Sequence, residues 1–350
     1  MRFLPSYSPI GLDLDGRWLR LAQTVRVNGR ERLLAAACVE RLGTGPIDAR
    51  DAVFLANLID WHGLRPAPLV VGLPRTAAVS APIELPPVAG GAPAAQIARL
   101  ELARSARCEP DEIDTAFWPV PAPVRSGEGS HVIAVGARRT EVDGMLDALD
   151  AAGLRVAALD TREWGLVRGG GAWMQGAGLR CLIEVGWEAT SLVLTIAGTI
   201  VFTRVMELSG LARLFEVVNQ RRGVPGSTMD ALLDRPESPA AVRVWEQCAP
   251  TLRDFGDALL PEVQRSLAYI GQRHPGVELS AVLLCGGGAT LPGLAGAVSA
   301  ACGVACRIVS PADVIPMPDG CTRAAVSPGL VCALGLSMHR AAMAARSSAA

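Results

Sequence analysis

Two acidic residues that close apolar runs, Asp13 and Glu184, are the groups in this sequence best placed to do chemistry. A carboxylate at a strand end can hold Mg2+ through water. A turn follows each acid: Asp15, Gly16, Arg17 and Trp18 after the first, Gly186 through Thr190 after the second. Backbone amides in such turns can receive phosphate oxygens, and the Thr190 hydroxyl can add a donor. The third segment is Gly286, Gly287 and Gly288, which follows the apolar run 282–284 and precedes Pro292. Backbone without Cβ atoms can take positive φ and lie along a nucleoside, and proline suits the first turn of the next helix. Bland readings stand beside these. The glycine corner also reads as a tight turn that touches nothing, Asp13 as a turn residue, Glu184 as an arginine's partner, and Trp18 and Trp187 as core or interface residues.

Composition narrows the options. The chain has 350 residues, half of them apolar, and a formal net charge of −1, which argues against a nucleic-acid binder. Every basic residue is arginine, so a P-loop lysine, a kinase strand lysine and Schiff-base catalysis are excluded. The nine cysteines and four histidines show no metal-site spacing, and reduced thiols acting as small apolar residues fit better. The first residues lack the apolar centre of a signal peptide, and no segment has the length and hydropathy of a membrane span.

These three segments need strands and helices to hold them. Period and turn signals predict strands over 10–14, 18–25 and 33–39, a helix over 49–62 and a buried strand over 69–73. Residues 79–159 read as a βαββαβ unit, with helices over 93–107 and 140–152, the second capped by Thr140 and stopped by Gly153. A helical linker over 162–174 leads to strands over 181–185, 191–196 and 200–206. The acid, turn and strand pattern there echoes the first lobe, as expected for a duplicated two-lobed fold with a site between the lobes. Residues 208–274 are predicted helical, with an apolar stripe from Val242 to Ile270 that Pro250 and Pro261 should kink or divide. A strand over 305–309 and a helix from Ser327 to about Arg340 follow.

With these motifs in view, the sequence resembles the actin-like ATPase superfamily and, within it, the PilM family of type IV pilus assembly proteins, relatives of FtsA. The likeness covers nearly the whole chain. Residues 11–21 sit at the family's first phosphate loop, 184–192 at the second and 283–294 at the adenosine motif. Glu262 and Arg265 lie in a stretch similar to a family helix that borders the nucleoside, and Gly72 to Pro74 with the unit 79–159 resembles the family's extra domain.

The resemblance implies an α/β, bilobed actin-like ATPase fold of duplicated mixed-sheet subdomains with an inserted βαββαβ subdomain. The first lobe would comprise 1–78 and 160–179, with the insert at 79–159. The second would comprise 180–207 and 280–321 with a helical subdomain at 208–279, followed by a C-terminal helix at 322–343 and a disordered tail at 344–350. ATP and Mg2+ would lie among Asp13, Asp15, Gly16, Arg17, Trp18, Glu184, Gly186, Thr190, Glu262, Arg265 and Gly286 to Gly288, with Asp13 and Glu184 facing the metal and no residue assigned to catalysis. Asp15 replaces a family glycine, Arg20 a lysine and Glu184 an aspartate, and Trp18 and Trp187 are bulky where small residues are common. These departures argue against robust turnover.

The implied role is a cytoplasmic scaffold, peripheral to the inner membrane, in pilus biogenesis and twitching motility. It would capture the N-terminal peptide of a PilN-type membrane protein at the first lobe and the inserted unit, meet motor or platform proteins, and have scope to self-associate. Nucleic acid is not an expected partner, and the membrane is reached only indirectly. The alternatives are an active ATPase or phosphotransferase of the same superfamily, and a GspL-like type II secretion component.

Overall fold

The computed structural model describes residues 5–85, 94–124, 129–318 and 323–339; the expected tail at 344–350 and the helix end near Arg340 lie outside them. The chain begins with β1 (Ser6–Tyr7), β2 (Ile10–Leu14), β3 (Trp18–Val27) and β4 (Arg30–Glu40), then α1 (Ala49–Trp61) and β5 (Leu69–Gly72). Asn28 and Gly29 take φ of 52° and 77° between β3 and β4, the left-handed pair whose twist suits a tight hairpin. The Asp48 side chain caps α1 by accepting the amides of Arg50 and Asp51.

Next come β6 (Ala78–Leu85), α2 (Ala94–Ala106), β7 (Ile113–Pro119), β8 (Ser130–Arg138), α3 (Arg139–Ala151) and β9 (Val156–Asp160). The order is βαββαβ, but only β6, β8 and β7 form the inserted sheet; β9 pairs in parallel with β5 in the first lobe. The expected insert therefore ends earlier than residue 159. The reason is packing: Val142, Met145 and Leu149 of α3 bury against α1 and β2 rather than against α2. Thr140 is not the cap of α3, which starts at Arg139 without a side-chain cap.

Helix α4 (Arg162–Gly169) and a 3-10 turn lead to β10 (Leu179–Val185), β11 (Thr190–Ile196) and β12 (Thr199–Met206). Then follow α5 (Leu211–Arg222), α6 (Gly226–Asp234), α7 (Pro239–Arg273), β13 (Leu279–Cys285), α8 (Leu294–Cys302), β14 (Cys306–Ile308), α9 (Pro311–Val314) and α10 (Val331–Ser337). Helix α7 runs 35 residues through both Pro250 and Pro261. Each proline removes one helical hydrogen bond, but the stripe of Trp245, Cys248, Leu259, Val263 and Ile270 stays buried along the second-lobe core and keeps the helix continuous.

The two large sheets match strand for strand. The first reads β4-β3-β2-β5-β9, with β1 also on β3, and the second β12-β11-β10-β13-β14; each joins an antiparallel meander to two parallel strands. Helices α4 and α10 lie between the sheets, in a core that takes Val70 from one and Leu182, Val193 and Leu283 from the other. They touch backbone to backbone: a Cβ on Gly335 would stand 1.7 Å from the Gly165 carbonyl, and one on Gly11 of β2 would stand 2.0 Å from the Ala333 carbonyl. Side chains alternate along a strand. Leu12 and Leu14 of β2 enter the outer core of the first lobe and Ile183 and Val185 of β10 that of the second, so Asp13 and Glu184 point inward, towards α4.

Candidate functional site

Asp13 and Glu184 occupy equivalent places, each the penultimate residue of its strand. Asp13 is fully buried and Glu184 nearly so. Between them stands Arg162, the first residue of α4, itself buried. Its Nη1 donates to Asp13 Oδ1 and to the Leu14 carbonyl, and its Nη2 to Glu184 Oε1 at 2.6 Å. Arg20, opposite Asp13 across the β2–β3 ladder, reaches Asp13 Oδ2 at 3.3 Å and Asp15 Oδ2 at 2.7 Å. Arg75, just past β5, donates from Nη2 to Glu184 Oε2 at 3.0 Å and from Nη1 to the Ser191 hydroxyl. Three guanidiniums and three carboxylates form one inner network. Burial alone would push the Glu184 carboxyl up, but Arg162, Arg75 and Arg20 hold it below the usual range. Burial likewise opposes the charge on Arg162, and the facing acids, Glu184 first, more than restore it.

The first turn is filled from within. The amides of Arg17 and Trp18 donate to Asp15 Oδ1 at 2.8 and 2.7 Å. Gly16 lies against the second turn, where an added Cβ would be 2.1 Å from Glu188 Oε1. Arg17 then crosses to the second lobe: its guanidinium meets Asp230 of α6 at 2.6 Å and Glu40 of β4 at 2.8 Å, and lies over Trp18 and Trp187 at 4.8 and 4.3 Å from the ring centres. Trp187 stacks edge-on against Phe215. The Thr190 hydroxyl is buried and donates to the Ser209 carbonyl.

The glycine corner is used by the fold. Gly286 has φ of 87°, and its amide bonds the Pro328 carbonyl at 3.1 Å, while the Gly288 amide bonds the Val185 carbonyl at 3.0 Å. Cβ atoms at Gly286 and Gly288 would each come within 2.4 Å of Val185, whereas one at Gly287 would make only ordinary contact with Leu211. Gly287 lines an interlobe cleft of about 360 Å³ with Trp18, Arg20, Trp187 and three acids, Asp230, Asp234 and Glu237. Glu262 and Arg265 are elsewhere: they pair with each other on α7, and Glu262 also pairs with Arg204 of β12.

Of the residues expected from sequence, Asp13, Asp15, Gly16, Arg17, Trp18, Glu184, Gly186, Thr190 and the three glycines do gather around one interlobe region. Glu262 and Arg265 do not line its cleft. The metal assignment needs correction. Mg2+ asks for a near-octahedral set of oxygens, yet all four carboxylate oxygens of Asp13 and Glu184 face guanidinium nitrogens. No group of three or more metal-binding side chains occurs among the described residues. The residues present do not fit a divalent cation. Arg162 and Arg75, which bring this about, carry no motif signal. The reading of Glu184 as an arginine's partner anticipates the pairing without naming the arginines.

Comparison with known proteins places this architecture. The family described as type IV pilus assembly protein PilM matches residues 55–341. The chain belongs to the PilM family. A structure titled "PilM-PilN type IV pilus biogenesis complex" overlays with a TM-score of 0.76 at 23% identity, over 95% of this chain and 98% of that one. The ethanolamine utilization protein EutJ from Carboxydothermus hydrogenoformans gives 0.53 at 13% identity, over 97% and 91%. MreB 5 of Spiroplasma citri bound to AMPPNP gives 0.49 at 11% identity, over 100% and 99%; the nucleotide is that protein's. No curated protein sequence matches significantly. The bilobed actin-like fold expected from sequence is confirmed, and this PilM-family chain has, among its described residues, no helix long and apolar enough to cross a membrane.

Proposed function

We propose that this PilM-family chain is a cytoplasmic scaffold of type IV pilus assembly that captures the N-terminal peptide of a PilN-type membrane protein. The likeness over almost its full length to the protein of a PilM–PilN complex carries this reading. The inner network supports it from the other side: strand-end acids neutralised by arginine suit a structural body better than an ATPase. The cleft that the resemblance gives to ATP is lined beside Gly287 and Trp187 by Asp230, Asp234 and Glu237, acids that oppose phosphate groups.

The peptide's place is the seam between the first lobe and α3. A cavity of about 440 Å³ opens there between Ile10, Ala56, Ile59, Pro66, Ala152 and Leu154. Trp61, the last residue of α1, is 70% exposed and directly follows Ile59 and Asp60 of the cavity lining, an aromatic side chain available as an anchor. A labelled peptide from the cytoplasmic N-terminus of a PilN-type protein should bind the full chain in fluorescence anisotropy. Ala56→Arg, which fills the cavity, should weaken that binding at least tenfold while the melting temperature holds. Absence of binding up to millimolar protein removes the reading; equal binding by Ala56→Arg removes this seam as the site.

A further inference from the structure

We propose that the interlobe cleft carries its own ions: the Arg162 guanidinium stands where two strand-end acids would share a divalent cation, and the Asp15 carboxylate stands where turn amides would hold a phosphate. The lobes are thereby latched without nucleotide or metal.

The geometry supports each half independently. On the cation side, Arg162 is reached by Asp13 from the first lobe's β2 and by Glu184 from the second lobe's β10. It starts α4, which is packed between the sheets, so its backbone is held beside both acids. The flanking cations complete the set. Asp13, Asp15 and Glu184 face Arg20, Arg75 and Arg162, and the cluster is already neutral. A divalent ion entering it would have to displace a guanidinium from a site where Arg162 and Glu184 are each about 4% exposed.

On the anion side, the two amides that a phosphate oxygen would meet are both donated to one Asp15 oxygen, and the other Asp15 oxygen takes Arg20. The position is closed over by Glu188, which abuts Gly16 from the opposite lobe. A second latch lies at the rim. Arg17 leaves the same turn, bridges Glu40 of the first lobe and Asp230 of the second, and lies against both Trp18 and Trp187. An Arg over an aromatic face in a half-buried setting holds better than an exposed ion pair. The roles that a bound nucleotide and its metal would play in drawing two lobes together are thus taken by side chains of the chain itself.

The test uses the full-length wild-type chain. Calorimetric titration with ATP and with ADP, in Mg2+ and in EDTA, should give no binding heat, and Mg-ATP at millimolar concentration should leave the melting temperature within about 1 °C. Small-angle scattering should show one particle size in EDTA, in Mg2+ and in Mg-ATP. Saturable, Mg2+-dependent nucleotide binding, or a particle that contracts on adding Mg-ATP, overturns the proposal. Asp15→Gly then tests the anion half with metal-free pyrophosphate as probe. Emptying the turn should raise pyrophosphate affinity at least tenfold over wild type, while Asp15→Asn, which keeps an acceptor on the two amides, should not. Equal affinity in Asp15→Gly and wild type overturns the anion half. Should Asp15→Gly fail to fold, the wild-type titrations and scattering still decide the proposal.

Discussion

Replacing Arg162 by methionine keeps most of the side-chain volume and removes the charge between the two lobes. Breaking a buried pair by deleting one partner costs about 3–5 kcal/mol, because the other charge is left without compensation. Here two carboxylates lose a partner, but neither is stranded: Asp13 keeps Arg20 at 3.3 Å and Glu184 keeps Arg75 at 3.0 Å. The loss should therefore fall at the lower end, about 3 kcal/mol, which in a domain of 150–250 residues corresponds to a fall in Tm of about 6–12 °C. Calorimetry at pH 7.5 in EDTA measures it. The pH dependence gives a second handle. Glu184 is held below the ordinary carboxylate range, chiefly by Arg162 against the opposing effect of burial. Its contribution is present above the unfolded value of about 4.3 and is lost as pH falls through the lower folded value. Without Arg162 the folded carboxyl rises, so the penalty should shrink on acidification as Glu184 takes up a proton. Adding Asp13→Asn to Arg162→Met, which leaves Arg20 with Asp15 and Arg75 with Glu184, should recover at least half of the lost stability. A loss below about 1 kcal/mol, against the 3 expected for a broken buried pair, or one that is flat in pH, refutes the central role given to this guanidinium.

Two further outcomes follow from the same geometry. Gly286→Ala and Gly288→Ala should each destabilise by about 1–3 kcal/mol, since each Cβ would overlap Val185, whereas Gly287→Ala, which meets only ordinary contact, should be close to neutral in urea denaturation. His274, buried at the end of α7 and held low first by burial and then by Arg273 and His131, should contribute stability above about pH 6.5 that is lost as pH falls through its lower folded value. His274→Phe should flatten that part of the stability–pH curve.

Much of the frame was legible in the chain. The strand, strand, strand, helix, strand order of both halves, the turns at Asn28-Gly29 and Ala197-Gly198, and the buried run before Gly286 all carry local signals, and the two sheets repeat as the echo of Asp13 in Glu184 suggested. The prolines did not divide α7, one of the two outcomes expected of them, and β9 left the insert; both were decided by what those segments pack against, and a pattern of periods within one segment says nothing about its neighbours. Glu262 and Arg265 misled differently: a motif position on the right helix still needs the right helix face, and theirs turns towards β12 and solvent.

The sequence alone determined that two acids would end two equivalent strands and that a glycine corner would turn beside them, because burial, alternation and turn chemistry act over a few residues. What those acids hold was decided only by the tertiary structure. Asp13 and Arg162 are 149 positions apart, Glu184 and Arg75 are 109, and no local preference records which of the chain's many arginines will meet a given carboxylate. The helix between the sheets brings Arg162 to both acids at once. Removal from water then makes a complete pairing of those charges far more favourable than leaving any of them alone.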